Sequence, residues 1–348
     1  MTRTLGFRYV IVRDGADYSE IYPAQGGTPK VKMNGSSAIK ADLSGNFIDP
    51  GDSVSWLADE IRPELIIDGT AYPLGIYMPA SIRQTETDTE RYLNITAYDR
   101  CWRVRDVKTE DLLHFDAGTP YLTAVQQLLT ACGIALISVV PCAAAFAEDR
   151  EDWNIGTDYL SIVNQLLSEI NYNPLWFNAE GLAILEPASV PTAANIEHTL
   201  DDTDIRSLIL PSSSRETDIY KAPNVFVAVC SNADKSGVMR AKSENTNPQS
   251  PLSIARRGRR IVKVVQVNNI ASQEDLQVYA DRMRNESMIT GETIIVKTGI
   301  FPGYGVNDVT SIRYGDLFAV CLEKAWSMDL QVGGIMTHTL EKVVINLG

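Results

Sequence analysis

Histidine is the first side chain to test for catalysis, because imidazole serves as a general base and a metal ligand near neutral pH. The chain of 348 residues contains His114, His198 and His338. They lie far apart in the sequence, and no HExxH or His-x-His pattern surrounds them. Because both roles need several converging groups, we predict structural or solvent-exposed histidines at all three positions, and no metal site.

Carboxylates near residue 100 could hydrolyse a glycosidic bond, since that chemistry needs a pair of acidic side chains. The candidates are Asp99, Asp106, Glu110 and Asp111. Acidic residues are common throughout, with 44 Asp and Glu against 31 Lys and Arg. Surface charge is therefore the preferred interpretation, and a carbohydrate-active or wall-binding enzyme is kept as the alternative.

A second acidic group, Asp201, Asp202 and Asp204, could bind calcium. It lacks the glycine and the terminal glutamate of an EF-hand loop, so a solvated acidic loop is predicted. The sequence has no Walker loop, GxSxG elbow or GxGxxG between a strand and a helix. Gly303-Tyr304-Gly305 is too short for such a loop and predicts a turn. We predict no catalytic residue and no cofactor.

Four arginines within five residues form the sharpest charge feature. They are Arg256, Arg257, Arg259 and Arg260. Clustered guanidiniums can contact nucleic-acid phosphates, or they can pair with carboxylates across a protein interface. The net charge of -13 disfavours general nucleic-acid binding. We therefore predict a subunit or partner interface at these arginines, while a solvated loop stays possible.

Composition indicates a globular protein made in the cytoplasm. A chain of 38.3 kDa with 45% hydrophobic residues is long enough for two or three domains. The odd number of cysteines without CxxC spacing predicts reduced, mostly buried thiols. These are Cys101, Cys132, Cys142, Cys230 and Cys321.

No stretch predicts insertion into a membrane. The N-terminus lacks the apolar core of a signal peptide. The most apolar run, Ile134 to Ala147, contains Ser138 and Pro141 and is shorter than the roughly 20 residues that a bilayer span needs.

The pattern up to about residue 110 predicts short strands, and hence a small barrel or sandwich. The candidate strands are Phe7 to Arg13, Ser37 to Leu43, Glu64 to Ile67, Leu74 to Ile82 and Tyr92 to Tyr98. The clearest hairpin signal is Asp68-Gly69, because both residues tolerate the positive φ of a two-residue turn.

Helical patterns follow. Thr119-Pro120 predicts an N-cap and a first helical residue, and Gly133 ends that helix. GTDYL at 156–160 echoes GTPYL at 118–122 with an offset of 38 residues, which predicts two helix-plus-strand units. Residues 187–222 have the composition of a linker. The polar excursion from Asn232 to Arg260 is a candidate contact with a neighbouring subunit.

The last part predicts strands with one long helix. Ile261 to Val267 alternates as a strand, and Ser272 is the expected N-cap of a helix that Gly291 ends. Buried positions at helical spacing are Leu276, Tyr279 or Ala280, Met283 and Ser287. Three strands should follow: Glu292 to Ile300, Leu317 to Leu322 and Ile335 to Ile345.

Short motifs in this order resemble those of phage tail baseplate hub proteins. NITAYDR at 94–100, the Gly-Thr-Pro helix and CGI at 132–134 are similar to the junction after the first barrel of that family. NVFV at 224–227 resembles the start of the second barrel. GETIIV at 291–296, YGD at 314–316 and GGIMTHTLEKVV at 333–344 resemble its remainder.

The resemblance implies an α+β, mainly β fold with three parts. These are a first β-barrel domain at 1–112, a helix-strand middle domain at 113–208, and a second β-barrel domain with one long helix at 209–348. It further implies a non-enzymatic homotrimer at the virion tail tip. Two similar barrels per chain would make six in a ring, matching a hexameric tail tube on one face and a three-fold spike on the other.

The partners implied by the resemblance are the tail tube protein, the central spike protein, other baseplate proteins and the tape measure protein. An acidic ring would also let DNA pass without binding it. Two alternatives stay open: a tail-associated wall-degrading or wall-binding enzyme, and a tube-proximal ring protein of a non-contractile tail.

Overall fold

A computed structural model of the chain describes residues 4–86, 91–151, 153–188, 191, 193–217, 222–230, 238–267, 270 and 272–343. These described residues form twenty strands and five α-helices. The α+β, mainly β fold class is therefore confirmed.

Eight strands form the first part of the chain. They are β1 Leu5–Arg13, β2 Ala16–Ile21, β3 Lys30–Asn34, β4 Ala41–Ile48, β5 Glu60–Ile67, β6 Thr70–Pro73, β7 Tyr77–Glu86 and β8 Arg91–Asp99. The hairpin expected at Asp68-Gly69 joins β5 to β6, with φ of +49° and +87° at its two turn residues. β2 and β3 were missed because their sequences are largely polar.

Six of these strands surround one apolar core. Backbone ladders connect them in the order β4, β8, β7, β5, β1 and β2. The segment after β2 returns to β4, where the Ala24 amide donates to the Asn46 carbonyl at 2.9 Å. Their inward side chains form most of the core, with Tyr9, Ile11, Leu43, Phe47, Ile61, Leu65, Tyr77 and Ile95 among its buried members. Side chains from the last part of the chain complete it, among them Trp326, Met328 and Met336.

The middle of the chain contains three helices and a small sheet. Its elements are α1 Cys101–Asp106, α2 Tyr121–Ala131, β9 Ile137–Val139, α3 Tyr159–Glu169, β10 Trp176–Phe177 and β11 Ala183–Leu185. The 38-residue offset is confirmed, because α2 and α3 each have 11 residues and begin 38 positions apart. The expected Thr119 cap is wrong: Pro120 precedes α2 without a side-chain bond, whereas Asp158 accepts from the Ser161 amide and caps α3.

Nine further strands and two further α-helices are assigned in the described part of the chain beyond residue 197. They are β12 His198–Asp201, β13 Ile209–Thr217, β14 Val225–Cys230, β15 Met239–Glu244, α4 Ile254–Arg257, β16 Val262–Val267, α5 Gln273–Met288, β17 Ile289–Thr298, β18 Val309–Tyr314, β19 Leu317–Asp329 and β20 Met336–Val343. The expected end of the long helix at Gly291 is wrong, because α5 ends at Met288 and the chain continues directly as β17.

The long strand β19 joins the first and last parts of the chain. Its first half pairs with β18, and its second half pairs with β3. Through this junction, fourteen strands of the described chain form one continuous sheet that does not close into a single barrel. The strands beyond the junction have their own core, which includes Leu200, Ile294, Val296, Ile312 and Leu340. β12, from the predicted middle segment, pairs with β18; the three-part division stays a prediction.

A separate three-stranded sheet, in the order β15-β14-β16, lies between β13 and β17 in the chain. We call this sheet, with α4 and α5, the small lobe (residues 222–288). Leu276 and Ala280 of α5 pack against Ala228 and Cys230 of β14. The expected N-cap of α5 is confirmed, since Ser272 Oγ accepts from the Asp275 amide at 3.0 Å.

The burial of the cysteines and the length and polarity of the helices bear on two predictions from the sequence. Cys101, Cys132, Cys230 and Cys321 are buried and Cys142 is half-buried, which confirms mostly buried thiols. Every helix in the described residues is too short or too polar to cross a lipid bilayer.

Candidate functional site

The arginine cluster lies on an ordered turn of the small lobe. Ser253 caps α4, its Oγ accepting from the Arg256 amide at 3.3 Å. Gly258 ends the helix with φ of +63°, a left-handed conformation that glycine adopts without steric cost. We call residues 253–260 the arginine turn. Local capping signals in the sequence thus fix where the four arginines are presented.

A buried polar network supports the arginine turn. The Asn224 side chain accepts from the Ile261 amide at 2.7 Å and donates to the Arg259 carbonyl at 2.9 Å. Asn245 donates to Ser250 Oγ at 2.9 Å, and all three polar side chains of this network are buried. Because buried amides are costly to leave unpaired, this network favours one conformation of the turn.

The arginine side chains differ in their surroundings. Arg257 is half-buried and donates to the Ala222 carbonyl, whereas Arg256 is exposed and donates to the Pro248 carbonyl. Arg259 is exposed. Arg260 bonds to Glu244, and that hydrogen bond lowers the pKa of the Glu244 carboxyl to about 2. The turn therefore presents at least three guanidiniums to solvent.

The edge strand β16 follows the arginine turn directly and exposes apolar side chains. Val262 is 54% exposed and Val264 is 63% exposed. β16 pairs with β14 on one side and has no strand partner on its other side within the described residues. Sequence periodicity found this strand but gave no sign that it lies at an edge. An exposed apolar edge is a template for pairing with another chain.

The described part of the polar excursion 232–260, which contains the arginine turn, has more regular secondary structure than predicted. Its described part includes β15, which pairs antiparallel with β14. β15 was missed because its sequence, MRAKSE, buries only Ala241 and Ser243, and is otherwise partly exposed and polar. Residues 232–237 of the predicted excursion lie outside the described residues.

Two histidines that are 140 positions apart in the sequence meet around one tyrosine. The Tyr304 ring stacks on His198 at 3.9 Å between centroids and meets His338 edge-on at 4.7 Å. His198 Nε2 lies 2.8 Å from Asp308, and His338 Nδ1 lies 2.8 Å from Glu323. Sequence spacing gave no hint of this convergence, because the partners come from four separate segments.

Thr298, His338 and Glu323 follow one another as the hydroxyl, imidazole and carboxylate of a catalytic triad do. Thr298 Oγ1 lies 3.0 Å from His338 Nε2 and 2.7 Å from the Gly299 carbonyl oxygen. All three side chains are fully buried. Burial also raises the pKa of the Glu323 carboxyl. The group is a buried polar network between β17, β19 and β20, and a structural role was one of the two predicted for His338.

The carboxylates considered for glycosidic hydrolysis do not share one environment. Asp99 is buried: its Oδ2 accepts from the Lys40 and Ala41 amides at 2.9 and 2.7 Å, and its Oδ1 accepts from the Cys101 amide. Burial nevertheless raises the pKa of Asp99 to about 6. Asp106, Glu110 and Asp111 are exposed. Asp99 therefore holds β4 and the start of α1 together.

The acidic loop around residue 202 uses its carboxylates locally. Asp201 accepts from the Thr203 amide and hydroxyl, Asp202 accepts from the Gly315 amide, and Asp204 binds the Arg206 guanidinium. The Arg206 hydrogen bond lowers the pKa of Asp204 to about 2. Three carboxylates with three different partners do not form a calcium cage.

Comparison with known proteins identifies the fold. A tail protein from Neisseria meningitidis superimposes with a TM-score of 0.68 at 14% identity, covering 97% of each chain. The 43 kDa tail protein of prophage MuSo2 from Shewanella oneidensis gives 0.66 at 10% identity, covering 97% of this chain and 98% of its own.

A third structure, the E. coli c3393 protein, is described as a type VI secretion component structurally similar to T4 phage tail proteins gp27 and gp5. It gives a TM-score of 0.50 at 10% identity, covering 98% of this chain and 77% of its own. No family model and no curated protein sequence matches the chain. The chain thus has the fold of phage tail proteins, as the resemblance implied.

Proposed function

We propose that this chain, which has the fold of phage tail proteins, is the structural baseplate hub of a phage or phage-like tail. Three copies form a ring that adapts a hexameric tail tube to a three-fold central spike and lets DNA or cargo pass. The ring lies at the virion tail tip and is made in the cytoplasm of the bacterial host. Its partners are the tube, spike and tape measure proteins and other baseplate proteins.

The observation that carries the proposal is the end-to-end match with tail proteins, 97% of both chains for the Neisseria protein. The two groups of strands on either side of the β3–β19 junction support it, because two apolar clusters form, one mainly in each group. The first cluster also includes Trp326, Met328 and Met336 from beyond the junction. Two such groups per chain give six in a trimer. A trimer can therefore present six related surfaces to a six-fold tube and three to a spike.

Contacts between copies are proposed at the arginine turn and at β16. The turn is basic, whereas the chain as a whole has a net charge of -13, so a neighbouring copy offers carboxylates for the guanidinium forks. The exposed valines of β16 would be covered in the same contact. Arginine is enriched among residues that dominate binding energy at interfaces, where each costs about 2 kcal/mol or more when removed.

The contact is tested by native mass of two variants. Val264→Lys places a charge in the apolar strip, and Arg259→Glu reverses one charge of the turn. Both should convert trimer to monomer without loss of folded signal. Val332→Lys and Arg206→Glu, at other exposed positions, are the matched controls and should stay trimeric. Unchanged trimers in both test variants would remove the contact from the proposal.

The enzyme alternative is tested separately. We propose no catalytic activity, because Asp99 is buried and bonded to three backbone amides, while Thr298 and His338 are fully buried. The purified chain should leave peptidoglycan intact. Hydrolysis that disappears in Asp106→Asn would instead support a wall-degrading enzyme.

A further inference from the structure

Residues 114–116 and 149–151 form a short antiparallel β-ribbon in the middle of the chain, and two buried side chains hold it in place. The Phe115 amide donates to the Arg150 carbonyl at 3.0 Å, and the Arg150 amide donates back at 2.8 Å. Both side chains are buried: Phe115 packs on Trp153, and Arg150 binds Glu169 through two bonds of 2.8 and 3.1 Å. A bidentate buried pair of this kind fixes the ribbon with little freedom.

Residues on either side of this pair project from the opposite, outer face, because side chains alternate along extended backbone. This places a histidine and three carboxylates together: His114 and Asp116 from one strand of the ribbon, Asp149 and Glu151 from the other. His114 Nε2 lies 2.9 Å from Asp116 Oδ1, and His114 Nδ1 lies 2.8 Å from Glu151 Oε1.

The geometry of three of these side chains suits a metal ion. One ligand atom each from His114, Asp116 and Asp149 lies within 4.8 Å of the others. Asp149 Oδ1 is already oriented, since it accepts from the Ala117 amide at 2.7 Å. The carboxylate of Glu151 on Nδ1 is the arrangement that orients a metal-bound imidazole through its second nitrogen.

We propose that His114, Asp116 and Asp149 bind a divalent transition-metal ion, with Glu151 orienting the imidazole. His114 ligates through Nε2, which releases its proton to solvent and exchanges its contact with Asp116 for the ion. One imidazole and two carboxylates match zinc or manganese better than calcium, which is bound by oxygen ligands alone. The ion would tie the segment before α2 to the segment before α3, independently of the proposed hub function.

Isothermal titration calorimetry of the chelator-treated chain of 348 residues with Zn²⁺ tests the site. We expect one saturable site per chain. His114→Ala and Asp149→Asn should weaken binding at least tenfold, and the orienting variant Glu151→Gln should weaken it by about 10- to 100-fold. Asp149→Asn retains an oxygen for the Ala117 amide, so its fold should be intact.

Two matched controls exclude other zinc ligands. Cys142→Ser removes the half-buried thiol, and Asp204→Asn removes a carboxylate from the other acidic loop; both should bind as the unchanged chain does. Thermal stabilisation by Zn²⁺ should disappear in the same variants that lose binding. The site is refuted by unaltered binding in His114→Ala and Asp149→Asn, or by no saturable uptake up to roughly 1 mM Zn²⁺.

Discussion

The buried network between β17, β19 and β20 and the surface of the small lobe use their polar side chains in opposite ways. In the buried network, Glu323, His338 and Thr298 are fully buried and bonded to one another. In the small lobe, arginines of the turn and the valines of β16 face solvent. Polar groups that resemble a catalytic set thus stabilise the fold, whereas the surface suited to a partner combines charge with exposed apolar residues.

A substitution in the buried network between β17, β19 and β20 should have the largest effect on stability. His338→Ala leaves the Glu323 carboxyl buried without its partner, and removing one member of a buried pair costs about 3–5 kcal/mol. Urea denaturation measures the loss in free energy of unfolding. His114→Ala, at an exposed histidine and measured without added metal, is the control and should change the free energy of unfolding much less. Equal losses would show that the junction pair contributes no more than a surface one.

Asp99→Asn should cost less, about 1–3 kcal/mol, because an amide nitrogen replaces one of two oxygens that accept backbone bonds. The same denaturation experiment measures it. Asp106→Asn, at an exposed carboxylate of the next helix, is the control and should be near neutral. A neutral Asp99→Asn would contradict the structural role assigned to this residue.

The pH dependence of stability gives a sharper test of Asp99. Burial raises its pKa from 3.8 to about 6 in the folded protein, so the folded state holds the proton more tightly than the unfolded chain does. This contribution to stability is present below about pH 4 and is lost as the pH rises to about 6. A protonated carboxyl keeps a lone pair for the amides, which the amide nitrogen of Asn lacks.

Denaturation of the unchanged chain and of Asp99→Asn at pH 4, 5, 6 and 7 isolates that contribution. The stability advantage of the unchanged chain over the variant should shrink between about pH 4 and 6 and stay constant above. An advantage that grows with pH would mean that the backbone amides outweigh burial and lower the pKa of Asp99.

Local signals in the sequence predicted much of the fold. The Asp68-Gly69 hairpin, the paired helices α2 and α3, and the Ser272 cap of α5 all depend on short-range chemistry, and all are confirmed. Strands with polar sequences, such as β3 and β15, were missed because they lack apolar alternation.

Features that depend on distant partners could not be read from the sequence. His198 and His338 meet Tyr304 only because β12, β20 and the 301–306 loop converge in space. The pairing of β3 with β19 likewise joins residues almost 300 positions apart. The arginine cluster was visible as a charge pattern, but the exposed edge beside it depends on the strand order of the small lobe.

In the small lobe, a substitution with a smaller expected effect should make the arginine turn more mobile. Ser253→Ala removes the N-cap of α4, and loss of such a cap costs about 1 kcal/mol. Hydrogen exchange should become faster at the Arg256 and Arg257 amides. Ser272→Ala, which removes the cap of α5, is the matched control and should accelerate exchange at the start of α5 while leaving the turn unchanged.

The mass of the purified, unaltered chain under native conditions tests the central claim most directly. The account predicts a trimer of about 115 kDa, three times the 38.3 kDa of one chain. A stable monomer, or an assembly whose copy number is not a multiple of three, would contradict it.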